Sequence, residues 1–348
     1  MAHIELFSTD TDDGVISVIT KTGKNNHQLA RKIRIGNAPR GGVKFTTNGR
    51  GFVSNTSQNT VSEIDPVSLE EVRRIEVGHG PRGLGVVPGD KYLLASNSGS
   101  DTVSVIDLEL NVEVHQVPVG RDPRHMAITA DGRHAYVCVW GEGKVAKLDI
   151  TGLATGRPQA VTIAETIDVG AEAHPYSAAI EPSGRRLFVA NTQATYASVI
   201  DMDSSQVTHV DLGYIGGRAV AFSSDARYAL ISVETVNAVY VVRLDDLRVM
   251  RHIPVGPGPR GLTVDADDDT LYITNFSRTN ISGRHGGLPY GPNTLTVVDL
   301  ASAPLDRDEG EFTHDAIEVG FGPCSVTMFN LDALPAERRH SSLTTQQA

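Results

Sequence analysis

Five arginines recur at one place in a repeated motif, and gathering them would create chemistry that none has alone. Arg40, Arg82, Arg124 and Arg260 each follow a proline, and Arg218 stands at the same place after Gly217. Tyr176 and Cys324 fill the two remaining copies. Two guanidinium charges about 8 Å apart repel by roughly 2 kcal/mol at an effective dielectric near 20. A carboxylate or phosphate ligand held bidentately would relieve that repulsion. Local acids offer another outlet, because Asp122, Glu142, Glu172 and Glu234 lie on the same side of the repeat, as do backbone carbonyls between repeats.

The histidines suggest proton transfer. His125 follows Arg124 where the other copies carry Gly41, Gly83, Ser177, Ala219, Gly261 and Ser325, and His174 precedes the proline of the next copy. With Tyr176 they form a candidate acid/base set, His125, His174 and Tyr176. A histidine hydrogen-bonded into an inner wall is the structural alternative. No cofactor is expected; if a divalent metal is held, His125, His174 and Glu172 are the candidate ligands. Trp140, the single tryptophan, lies near them and is placed either to stack on a substrate or to pack a blade. Residues 276–294 form the long loop on this side and carry His285 and Tyr290, which suits a cover over a site. The substrate-binding set is therefore Arg40, Arg82, Arg124, Arg218, Arg260, Trp140, His285 and Tyr290.

These residues need a scaffold that brings distant segments together, and the repeat supplies it. Gly36, Gly78, Gly120, Gly170, Gly213, Gly256 and Gly320 each end an apolar stretch, at intervals of 42, 42, 50, 43, 43 and 64 residues. Between them run short segments rich in Val, Ile and Thr, separated by Asp, Asn, Gly and Pro turns. A period near 43 built from such strands predicts an all-β, seven-bladed β-propeller of four-stranded antiparallel blades. The N-terminal segment supplies three strands and Pro323–Phe329 supplies a lone one, so a three-plus-one blade should close the ring. Residues 1–329 then form one propeller, and the polar residues 330–348 read as a disordered tail.

The second strand of each repeat carries a quartet: Phe7-Ser-Thr-Asp10, Phe52-Val-Ser-Asn55, Leu94-Ala-Ser-Asn97, Tyr136-Val-Cys-Val139, Phe188-Val-Ala-Asn191, Leu230-Ile-Ser-Val233 and Tyr272-Ile-Thr-Asn275. This resembles the YVTN family of β-propeller repeats from residue 4 to about 329. In architecture the chain is also similar to propeller lactonases acting on a phosphorylated sugar lactone, and to the streptogramin lyases, which use a histidine and a divalent metal. The resemblance implies a fold, and no motif of either enzyme transfers residue by residue.

Bulk properties narrow the partners. A formal charge of −11 argues against nucleic acid. No run of about 18 apolar residues suggests a membrane span, and the start of the chain lacks signal-peptide character, so a cytoplasmic protein is expected. Cys138 and Cys324 fall in distant repeats and should stay reduced. Gly78–Gly83 and Gly256–Gly261 match Gly-x-Gly-x-x-Gly but open strands rather than helices, so they are not dinucleotide loops. The expected function is an enzyme acting on a small anionic molecule by lactone hydrolysis, elimination or isomerisation at the mouth of a central channel. A binding or interaction propeller without chemistry is the alternative.

Overall fold

The computed structural model describes residues 3–276 and 293–338. Its strands form seven four-stranded antiparallel sheets. Six blades follow chain order, with inner strands Pro39–Phe45, Pro81–Val86, Pro123–Ile128, Pro175–Ile180, Gly217–Phe222 and Pro259–Asp265. The seventh joins Pro323–Asn330 to Ile4–Asp10, Val15–Gly23 and Asn26–Arg34, with Ile4 opposite Asn330 and Asp10 opposite Pro323. The expected three-plus-one closure is what the ring uses.

Burial follows the position of each strand in its blade. The quartet strand Tyr92–Asn97 is buried on both faces because a neighbouring blade covers each side. The outer strand Glu70–Glu76 exposes most residues and buries Ile75. Apolar side chains mesh between blades; Phe7, Val18, Ile33, Val43, Val53 and Ile64, for example, weld the closing blade to the first. Lys21 Nζ adds ion pairs to Asp265 and Asp268 at 2.5 Å each, tying the closing blade to the sixth.

The recurring glycine and the quartet asparagine depend on each other. Asn55 Nδ2 donates to Ser62 Oγ at 2.7 Å, Asn97 Nδ2 to Ser104 Oγ at 2.7 Å and Asn275 Nδ2 to Thr296 Oγ1 at 2.6 Å. A Cβ at Gly36, Gly78 or Gly256 would strike the amide of Asn55, Asn97 or Asn275 respectively. The glycine is required by a buried amide beneath it. Two quartets end in valine, and both open differently: 3-10 turns follow at Trp140–Glu142 and Glu234–Val236.

In place of the loose tail expected from residue 330, the chain packs onto the ring as far as residue 338. Leu334 is buried, and Arg338 donates to Asp65 Oδ2 at 2.5 Å and to the Asn48 carbonyl at 2.7 Å. Leu334 is the apolar anchor that the polar composition concealed. Residues 339–348 lie outside the described residues. Among the described residues no helix is long and apolar enough to cross a membrane.

The closing blade carries Asp10 where four others have asparagine. Ser8 Oγ, Ser17 Oγ and the Gly320 N–H donate to its carboxylate at 2.8, 2.5 and 2.9 Å. Burial nevertheless pushes the carboxyl up to about 6 from 3.8. The folded state thus holds this proton more tightly than the unfolded chain. The contribution of Asp10 to stability is greatest below about pH 4, falls as pH rises through about 6, and diminishes by about 3 kcal/mol over that window. Asp10→Asn should restore the repeat, remove that slope and raise the melting temperature at pH 7.5. Urea titrations across pH 4–8 check it, and an unchanged slope in the variant would refute the assignment.

Candidate functional site

Hydroxyls of the quartet strands hold the backbone carbonyls of four of the five arginines, Arg40, Arg82, Arg124 and Arg260. Ser54 Oγ donates to the Arg40 carbonyl of its own blade and the Arg82 carbonyl of the next, both at 2.8 Å. Ser96 Oγ bonds the Arg124 carbonyl, Ser232 Oγ the Arg260 carbonyl at 2.6 Å, and Thr9 Oγ1 the Gly41 carbonyl at 2.9 Å. All but the Ser54–Arg40 bond cross from one blade to the inner strand of the following one.

The ring of charge divides into a neutralised side and an open side. Glu234, delivered by its 3-10 turn, accepts from Arg218 Nε at 2.5 Å and Arg260 Nη2 at 2.8 Å. Burial alone would raise the Glu234 carboxyl, but Arg260 and Arg218 hold it below the usual range. Arg260 also lies over the Phe276 ring at 3.7 Å. Arg124 Nη2 reaches Asp122 Oδ2 at 2.6 Å and covers Trp140 at 4.8 Å. Opposite them, Arg40 and Arg82 have no carboxylate partner among the described residues. Burial, then the charges of Arg124 and Arg40, push Arg82 down to about 10. The Arg40 Nε is buried without a partner.

Below this level lies a cavity of about 340 Å³, lined in part by His125, Tyr176, Arg218, Arg260 and Cys324. The His125 ring meets Tyr176 edge-on at 5.1 Å, and no hydrogen bond ties it to the described residues. Burial, then Lys44, Arg82, Arg124 and Arg40, push its pKa down to about 3, so the imidazole is neutral. Cys324 is a free buried thiol in the same wall. Burial would raise it, but Arg40, Arg260 and the Gly41 N–H hold it below the usual thiol range.

Not every candidate converges here. His174 is absent from the cavity wall: its Nδ1 donates to the Trp140 carbonyl at 2.9 Å, its ring packs on the indole at 4.2 Å, and its Nε2 is 3.9 Å from Glu172. Trp140 Nε1 donates to Thr192 Oγ1 at 3.0 Å, so the indole bridges two blades between Arg124 and His174. Among the described residues no group of three or more His, Cys, Asp or Glu is placed to hold a metal, so His125, His174 and Glu172 form no ligand set. His285 and Tyr290 lie outside the described residues. Sequence reasoning listed Glu234 only as a neutralising acid and gave Cys324 no role. The valine ending each variant quartet is the signal that its loop had been rebuilt.

Residues 90–246 match the family described as Lactonase, 7-bladed beta-propeller. No curated protein is significantly similar to the chain in sequence. Among solved structures, the periplasmic gluconolactonase of Pseudomonas aeruginosa is 15% identical with a TM-score of 0.75, covering 94% of this chain and 99% of that one. A Bacteroides fragilis protein proposed to be a 6-phosphogluconolactonase is 12% identical with a TM-score of 0.76, covering 94% and 98%. Hydrazine synthase of Kuenenia stuttgartiensis is 20% identical with a TM-score of 0.65, covering 86% and 98%. The chain is a seven-bladed propeller, lactonase-like in architecture.

Glu234 serves two guanidiniums, so its loss should be felt in stability. Glu234→Gln should cost about 3 kcal/mol in urea unfolding by leaving Arg218 and Arg260 without a counter-charge. Millimolar phosphate should recover part of the loss by replacing the missing anion. An unchanged unfolding midpoint would show that the bridge contributes nothing.

Proposed function

We propose that the central cavity hydrolyses a small lactone that carries an anionic group. The observation carrying this reading is His125, a neutral imidazole that no hydrogen bond ties to the described residues, facing a cavity that Arg218, Arg260 and Lys44 also line. The match of residues 90–246 to a lactonase propeller family, and neighbours named for gluconolactones, support the same chemistry.

In this mechanism the open pair, Arg40 and Arg82, takes the anionic group of the substrate. Burial is the main cause of the depressed His125 and the nearby cations add to it; anion binding offsets that second contribution, so the bound substrate raises the basicity of its own catalyst. His125 then removes a proton from water as the oxygen adds to the lactone carbonyl. The negative charge developing on the carbonyl oxygen is stabilised by the surrounding guanidiniums in a site of low dielectric. Collapse breaks the ring C–O bond, and the departing alkoxide takes the proton back from the imidazolium. The hydroxy acid leaves with one water added and no other reactant consumed. Tyr176 packs against His125 and fixes the ring edge that faces the cavity.

Two measurements test this. With a phosphorylated or carboxylated aldonolactone in a pH-stat, His125→Ala should lower kcat by about 10²–10⁴-fold at an unchanged melting temperature. Full activity in this variant would remove His125 from the mechanism. The pH profile should split as well, since kcat/KM reports the free enzyme and kcat the complex. The acid limb of kcat should lie at higher pH than that of kcat/KM, which stays flat down to about pH 4 because free His125 titrates near 3. Coincident limbs would contradict substrate-raised basicity.

A further inference from the structure

Beneath the arginines the inner strands form a second ring, and one residue breaks it. The inner-strand residues opposite the first quartet residue are Gly85, Ala127, Ala179, Ala221, Thr263 and Thr327 in six blades, all small. In the first blade that residue is Lys44, opposite Phe52. The other inner strands reach this level with their fifth residue, whereas Pro39–Phe45 takes six. The extra residue sits in an irregularity between Arg40 and Lys44, where Gly41 has φ +66. An inserted residue of this kind re-aims the side chains around it.

The bulge turns the lysine into the channel. Lys44 borders the cavity that holds His125 and, below it, an opening of about 450 Å³ with apolar walls that include Leu84, Val86, Met126 and Ile128. Among the described residues it has no ion pair and no side-chain hydrogen bond. Lys44 is solvent-accessible along the channel, and desolvation by the protein atoms crowded around it holds the amine below the usual lysine range. Thr263 and Thr327 border the same cavity and offer hydroxyls to whatever the amine binds.

The vertical spacing follows from the register. Arg40 lies opposite Ser54 and Lys44 opposite Phe52. Two residues along the straight neighbouring strand put the backbone levels from which the two cations extend about 7 Å apart. Neither has a carboxylate among the described residues.

We propose that the channel binds a molecule with two anionic groups, one at Arg40 and Arg82 and the other at Lys44, so that the lactone is a dianion spanning the two levels. The lactone part rests on the function proposed above; the paired anion sites do not.

Calorimetric titration with propionate and with the straight-chain dicarboxylates from succinate to pimelate tests it. In the wild type one dicarboxylate should bind at least tenfold more tightly than propionate. Lys44→Ala, which matches the small residues of the other blades and should keep the melting temperature, should reduce that dicarboxylate to the affinity of propionate. Lys44→Arg should retain most of the advantage. Equal binding of mono- and dicarboxylates by the wild type, or an advantage that survives in Lys44→Ala, would overturn the inference. A doubly charged lactone hydrolysed equally well by wild type and Lys44→Ala would overturn it while leaving the hydrolysis intact. Dicarboxylate binding that depends on Lys44, without turnover of any lactone, would support the paired sites and sink the hydrolysis.

Discussion

The hydroxyl-to-carbonyl bond between neighbouring blades is the contact on which the site depends. Meshed apolar side chains hold neighbouring blades together, and a directional hydrogen bond between them adds a fixed distance from one particular backbone group to the next. Ser54, Ser96, Ser232 and Thr9 each reach from a quartet strand to the backbone of the following inner strand. Their alcohols are buried, so leaving one unpaired would cost about 1–3 kcal/mol. That penalty sets the height of each inner strand, and the height of the strand sets the height of its arginine. Cys138 and Ala190 interrupt the series, and the blades after them carry Tyr176 and Arg218.

The electrostatics of the interior run against those of the whole molecule. A chain with a formal charge of −11 places Arg40, Arg82, Arg124, Arg218, Arg260 and Lys44 around one channel. Glu234 and Asp122 answer three of these and leave the first-blade side uncompensated. Burial depresses Arg82 and His125 first, and the neighbouring cations without carboxylates depress them further. The acidic exterior does not screen this field, since the channel wall excludes most of the ions that would. An anion entering the channel therefore meets attraction that grows as water is left behind.

The ring was legible in the sequence because its period and its turn residues repeat seven times. Closure was legible too, from a strand count that left three at one end and one at the other. The site was legible only as positions on a repeat. Arg40 and Arg218 occupy equivalent positions, yet one is bridged to Glu234 and the other has no carboxylate among the described residues; that difference comes from a 3-10 turn after Val233. His125 and His174 looked paired because their repeats adjoin, but the carbonyl of Trp140 holds His174 outside the cavity wall. Lys44 was invisible, because a one-residue bulge changes which side chain enters the channel without changing the spacing of the motif. Leu334 shows the same limit at the C-terminus, where a single apolar residue in a polar stretch is enough to anchor it.

Pairing Ile4 with Asn330 also sets an order of events. Ile4–Asp10 precedes the other strands of the ring and pairs early with Val15–Gly23, yet it is the last to find its inner neighbour. Until residues 323–330 have emerged, the N-terminal sheet carries an open edge of unpaired backbone groups, and the sixth blade faces water where the closing blade will sit. Six blades can form in sequence as the chain lengthens, but the ring gains its cooperativity in one late step. The arrival of residues 323–330, rather than the synthesis of any one blade, is therefore the moment at which the ring becomes a closed wheel.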